Sequence, residues 1–245
     1  MTPPRIGSVP YLNAAPLVHG LAPAPVRLVP ARLAAELNAG RLDAALVPLA
    51  EYLLHAGRYV LVDGAAVAAR GPVHSVILIP RPGLGLADLR TVALDPDSRT
   101  SVLLTRVLLE IAHPRPAAYV AEAAPADARL LIGDPAMAFR RAHPGQPVLD
   151  LGQLWHEWTG LPFVFAAWVV RREAATPALA DRLRAAQAAG LAARPQIAAD
   201  AEELRYLTES IRYELGADEK AGILRFAGYL QDLGLLPAVP EIDWI

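Results

Sequence analysis

Arg5-Ile6-Gly7-Ser8-Val9-Pro10-Tyr11-Leu12-Asn13-Ala14-Ala15-Pro16-Leu17, close to the start of the chain, decides how the rest is read. Ile6 to Val9 form a short apolar run, and Pro10-Tyr11 closes it as a turn. Pro16 suits the first turn of a helix, where its missing N–H costs nothing. A strand that feeds a helix start is the repeating unit of α/β sheets. Asn13 sits just ahead of that helix and either caps it, the commoner role for this residue type, or turns its amide to a ligand. The two roles are compatible, because a helix start after a strand is also a ready anion site.

The alternation continues along the chain. Short β-branched runs predict strands at 5–9, 26–29, 44–47, 74–79, 91–94, 118–120, 128–132, 148–149 and 163–170. Helical patterns fall at 16–20, 30–39, 98–112, 135–141, 177–192, 198–214 and 218–233. The end of the chain is thus helical and has no strands of its own to pack on. It must return to a lobe already built. The expectation is an α/β protein of two lobes, the first made of 1–80 plus 167–245 and the second of 81–166. The apolar strands at 74–79 and 163–170 are the natural crossing points, since such runs are buried on both faces. A ligand would lie in the cleft between the lobes, where strand ends and helix starts converge.

Composition narrows the chemistry. The 245 residues carry 23 Lys+Arg against 25 Asp+Glu, a net charge of −2, which gives no reason to expect a nucleic-acid or membrane partner. There is no Cys, so disulfides, thiolate metal sites, iron–sulfur clusters and thiol nucleophiles are excluded. Lys220 is the one lysine and the one candidate for Schiff-base chemistry. The six histidines lack paired ligand spacing, so no metal is expected. No Gly-x-Ser-x-Gly elbow occurs, and Gly83-Leu84-Gly85 has Asp88 where a dinucleotide fingerprint needs glycine. The longest apolar stretch, 161–170, is half the roughly 20 residues of a membrane span. No secretory leader precedes the first strand, and the expected location is cytoplasmic.

Three further segments concentrate polar groups at predicted helix starts or turns. Asp95-Pro96-Asp97-Ser98-Arg99-Thr100-Ser101 brings hydroxyls, a guanidinium and helix-start N–H groups into one turn. It reads equally as an anion site or as an ordinary capped helix. Ile132-Gly133-Asp134-Pro135 is another such junction, with Asp134 foremost a cap. Trp155 to Trp168 is dense in aromatics around Thr159-Gly160-Leu161-Pro162; core packing is the simpler reading, a floor for a cyclic ligand the other.

Taken in order, these segments resemble one family, the chorismate dehydratases of the futalosine route to menaquinone. The resemblance is carried by Gly7-Ser8-Val9-Pro10-Tyr11-Leu12-Asn13-Ala14-Ala15-Pro16-Leu17, His74-Ser75-Val76-Ile77-Leu78 and Val92-Ala93-Leu94-Asp95. It continues in Ser98-Arg99-Thr100-Ser101-Val102, Leu131-Ile132-Gly133-Asp134, Asp150-Leu151-Gly152, and Trp155 with Thr159-Gly160-Leu161-Pro162-Phe163-Val164-Phe165-Ala166. It implies a type II periplasmic-binding-protein-like fold with an interlobe cleft. It also implies loss of water from chorismate to give 3-[(1-carboxyvinyl)oxy]benzoate, without metal or organic cofactor. Asn13 and Ser75 are implied as the catalytic polar residues, with Ser98, Arg99, Thr100 and Ser101 holding a carboxylate. Tyr11, Asp134, Thr159 and Gly160 are added as substrate-binding residues. Where relatives carry Ser after the crossing strand, this chain has Ile79-Pro80, and that position is assigned nothing.

The proton acceptor stays open among the substrate's own enolpyruvyl carboxylate, Asp134 and His74, with the first preferred. Chorismate is the one partner expected, and the oligomeric state is open, a homodimer included. The main rival is a solute-binding protein for a small carboxylate, which would share the lobes and the cleft. A dihydroxynaphthoate-forming enzyme of the same fold is disfavoured, because its relatives carry a Cys-Pro-Asn-Asp-like run where this chain has Tyr11-Leu12-Asn13-Ala14. A ligand-sensing regulator would need a DNA-binding helix pair that the sequence does not show.

Overall fold

β1 (Ile6–Ser8) pairs in parallel with β2 (Val26–Arg27) on one side and β3 (Ala44–Pro48) on the other. β4 (Tyr59–Ala69) and β10 (Phe163–Arg171) complete this first sheet in the order β2-β1-β3-β10-β4, with β10 antiparallel to both neighbours. A second sheet has the order β7-β6-β8-β5-β9, from β5 (Val76–Pro80), β6 (Thr91–Leu94), β7 (Ala118–Ala121), β8 (Ala128–Ile132) and β9 (Leu149–Asp150). The structure, a computed structural model, describes residues 3–96, 98–113 and 117–245. Asp97, part of the helix-start segment that ends at Ser101, lies outside them.

Helices cover both sheets. α1 (Ala15–Val18), α2 (Pro30–Asn38) and α3 (Leu49–Leu54) follow the early strands. α4 (Thr100–Val107) follows β6 and runs on into a π-helical turn, α5 (Gly133–Ala142) follows β8, and α6 (Leu151–Thr159) follows β9. α7 (Pro177–Ala192), α8 (Arg194–Ile197), α9 (Ala201–Arg205) and α10 (Ala217–Asp232) end the chain. α7 packs on β4 and α10 on β10, so the helical end does return to the first sheet. α7 also presses on α1: a Cβ at Gly190 would stand 1.9 Å from the Pro16 carbonyl oxygen. Among the described residues no helix is long and apolar enough to cross a membrane.

The chain changes sheets just before each apolar crossing strand, not within it. It leaves the first sheet after Ala69 and enters the second at Val76; it returns from β9 through α6 to Phe163. Residues 76–80 therefore pair in the second sheet and 163–166 in the first, unlike the limits expected at 80 and 167. A strand apolar on both faces carries no mark of the sheet it joins.

β4, α3 and α6 are not among the predicted elements. β4 is rich in alanine and interrupted by Asp63-Gly64, which weakens strand propensity, yet its burial among β10 and the C-terminal helices holds it extended. The single helix expected over 198–214 is instead α9, a π-helical turn at Tyr206–Ser210, and an extended segment. There the Ala66 and Ala68 N–H groups donate to Tyr213 O and Arg212 O at 2.9 and 2.8 Å.

Candidate active site

Between the sheets lies a mostly apolar cleft. Its polar groups come from three places. Tyr11 and Asn13 follow β1, Ser75 sits on the crossing segment, and Ser98, Thr100 and Ser101 open α4. Phe165 and Ala166 of β10 supply apolar floor. Among the described residues lining the cleft, none is charged.

The lobes meet around it. The Tyr11 ring lies on Gly133, whose φ of +62° and lack of Cβ both matter, since a Cβ there would stand 3.1 Å from the ring. The Leu12 N–H donates to the Asp134 carboxylate at 3.1 Å. At the other end the Ala50 N–H of α3 donates to Thr100 Oγ1 at 3.0 Å. Arg99 forms an ion pair with the fully buried Glu51 of α3, whose charge could not be buried without such a partner.

Ser75 is held from several sides. Its carbonyl accepts from Gly133 N–H at 2.7 Å, and its side chain is 1% exposed. The Asp150 carboxylate caps α6 at Gln153 N–H and also accepts from Val73 and His74 N–H, at 3.0 and 2.7 Å. His74 between them has φ +64°, a conformation L-residues seldom adopt and one that persists only where surroundings enforce it. Behind Ser75, Tyr206 brings its hydroxyl to 2.8 Å from Ser75 Oγ and near the Asn13 side chain. Burial pushes the Tyr206 phenol well above its ordinary pKa, so it stays protonated.

The α4 wall is different. Arg99, at the N-cap, makes no capping bond, and the hydroxyls of Ser98, Thr100 and Ser101 line the cleft. The first-turn N–H groups of a helix have no intrahelical acceptor, and the dipole favours an anion before them. Among the described residues no side chain caps this helix start.

The structure brings Tyr11, Asn13, Ser75, Ser98, Thr100 and Ser101 into one cleft. It places the other expected residues elsewhere. Arg99 is engaged by Glu51. Asp134, in the first turn of α5, is no cap; its carboxylate reaches back to Leu12 on the outer rim. Thr159 Oγ1 donates to the Trp155 carbonyl and accepts from Leu161 N–H, and Gly160, at φ +71°, ends α6. These two close a helix and do not line the cleft. Asn13 is not a cap either: it lies in a 3₁₀ turn, and α1 begins without a side-chain cap. His74 lines a separate polar cavity with Arg140, Arg205 and Glu209. Lys220 pairs with Asp63, away from the cleft. Trp155 packs on Phe163 and Phe226 in the core, as the simpler reading of the aromatic run had it.

Tyr206 and the role of Asp150 escaped sequence reasoning. Asp150 had a signal, since Asp before an apolar run marks a helix start. Tyr206 had none: it stands 131 residues from Ser75 in an ordinary helical pattern.

Two α/β lobes enclosing a cleft define the fold class, a two-lobed fold of the periplasmic-binding-protein type. A protein of Archaeoglobus fulgidus shares the fold at TM-score 0.73 and 15% identity, covering 95% of this chain and 98% of its own. The periplasmic aliphatic sulphonate binding protein of Escherichia coli does so at TM-score 0.66 and 20% identity, over 98% and 91%. By sequence, the chorismate dehydratase of Thermus thermophilus is 34% identical, over 93% of this chain and 95% of the relative. The menaquinone biosynthesis family model matches residues 4–232, and the chain belongs to that family, with the chorismate dehydratases.

Proposed function

We propose that this protein is a hydro-lyase that converts chorismate to 3-[(1-carboxyvinyl)oxy]benzoate and water. The observation that carries the reading is the cleft itself: Asn13, Ser75 and the α4 hydroxyls converge in it, in a chain similar over its length to a chorismate dehydratase.

The chemistry asks little beyond positioning. The C3 proton of chorismate is vinylogous to the ring carboxylate, so its removal gives an extended dienolate. Expulsion of the C4 hydroxyl then aromatises the ring, which supplies the driving force. The α4 start holds the ring carboxylate and stabilises the charge that develops on it. Asn13 and Ser75 orient the ligand and assist the departing hydroxyl. The C3 proton passes to the substrate's enolpyruvyl carboxylate and from there to the leaving oxygen as water forms, so no proton is gained or lost by the protein. Asp134 is turned to Leu12 and His74 to the separate cavity, which supports the substrate as its own base. The reaction needs no metal or organic cofactor, and a cytoplasmic setting suits it.

Incubation of the folded protein with chorismate, followed by mass spectrometry, should show an aromatic product lighter by one water. Chorismate that binds and is recovered unchanged would overturn the reading in favour of a solute-binding protein.

A further inference from the structure

We propose that Tyr206 is a positioning residue that aims the Ser75 proton into the cleft. The proposal rests on the dehydratase reading. Tyr206 starts the π-helical turn after α9, a deviation common at functional sites, and the Ile211 N–H donates back to its carbonyl at 3.2 Å. That extra residue in the turn carries the chain from α9 into the segment beside β4, and the ring stays 4% exposed behind the crossing segment. Its hydroxyl lies 2.8 Å from Ser75 Oγ.

The direction of that hydrogen bond matters. A serine hydroxyl has one proton and two lone pairs. If it donated to Tyr206, its proton would point away from the substrate. A phenol is the stronger acid, and so the stronger donor, of the two. Tyr206 therefore donates to Ser75, and the serine proton is left to face the cleft. The buried phenol thus sets the Ser75 hydroxyl without touching the substrate. Tyr206 also lines the polar cavity shared with His74, Arg205 and Glu209.

Tyr206→Phe keeps the ring and removes only the hydroxyl. The expected result is a fall in kcat of about 10- to 100-fold with KM changed less than about threefold, because substrate contacts are intact while donor alignment is lost. The double variant with Ser75→Ala is the decisive measurement. Once the serine hydroxyl is gone, Tyr206→Phe should lower kcat by less than about twofold more. A wild-type kcat in Tyr206→Phe, a loss expressed wholly in KM, or effects that multiply in the double variant would each overturn the proposal. If Phe impairs folding, Tyr206→Met fills the space flexibly and should show the same kcat loss. Wild-type turnover of chorismate tests the dehydratase reading by itself. The Tyr206 result is a ratio to that rate and fails separately.

Discussion

The two walls of the cleft are built on opposite principles. One wall is contiguous: Ser98, Thr100 and Ser101 sit in a single turn at the α4 start, with α3 touching it through Ala50 and Glu51. The other is assembled from Asn13, Ser75 and Tyr206, brought together across two lobes. Its precision comes from behind, through Tyr206, the Asp150 clamp and the strained His74 backbone. On the proposed function, the wall that binds a carboxylate needs only donors and a dipole. A wall that acts on bonds as they break needs fixed directions, and that requires supporting groups.

The contrast between the walls breaks most visibly in kinetics. Asn13→Ala and Ser75→Ala should each lower kcat by about 10²- to 10³-fold, the range for losing one preorganised donor. Ser101→Ala should instead act mainly on KM, raising it by about tenfold, because the helix-start N–H groups that meet the developing charge stay in place while the lost hydroxyl removes binding common to ground and transition states. Steady-state rates over a range of chorismate concentration check both. Equal kcat losses on the two walls would erase the distinction.

A smaller effect tests how the walls are brought together. Gly133→Ala must strain a backbone at φ +62° and push away the Tyr11 ring, 3.1 Å from the added Cβ. A destabilisation of about 1–2 kcal/mol is expected from the backbone alone. KM should rise by several-fold while kcat changes less, because the rim opens but the donors stay. Denaturant unfolding read beside kinetics separates the two consequences. An unchanged KM would mean that the Tyr11–Gly133 contact does not shape the cleft.

The two walls also differ in how well the sequence shows them. The α4 hydroxyls are neighbours in the chain, so their convergence is legible in the run Ser98-Arg99-Thr100-Ser101 alone. Yet Arg99, the most conspicuous group there, faces Glu51, because a one-residue step along a helix start turns a side chain by about 100°. The βα units around Asn13 and Asp134 are equally plain, whereas which way each side chain turns depends on the other lobe. β4 and the sheet membership of the crossing strands are hidden for a related reason. A fully buried run has no polar face to show its surroundings. Tyr206 is the extreme case, since its role exists only through a partner 131 residues away.

The smallest effect belongs to His74. Asn tolerates its left-handed backbone, so His74→Asn changes the side chain at little conformational cost. Because His74 lines the separate cavity and not the cleft, kcat should stay within about threefold of wild type, a change too small for loss of a general base. A loss beyond about hundredfold with substrate binding intact would place the base on His74 after all. Stability supplies a second readout. Burial holds the imidazole below its usual pKa, against the opposing attraction of Asp150 and with Arg140 assisting. The folded protein therefore keeps His74 neutral while the unfolded chain takes up a proton near pH about 6.5, so wild type loses stability as pH falls through that value. The Asn variant lacks this loss. Its unfolding free energy relative to wild type should shift in its favour between about pH 7.5 and 5, and a pH-independent difference would show that His74 titrates alike in both states.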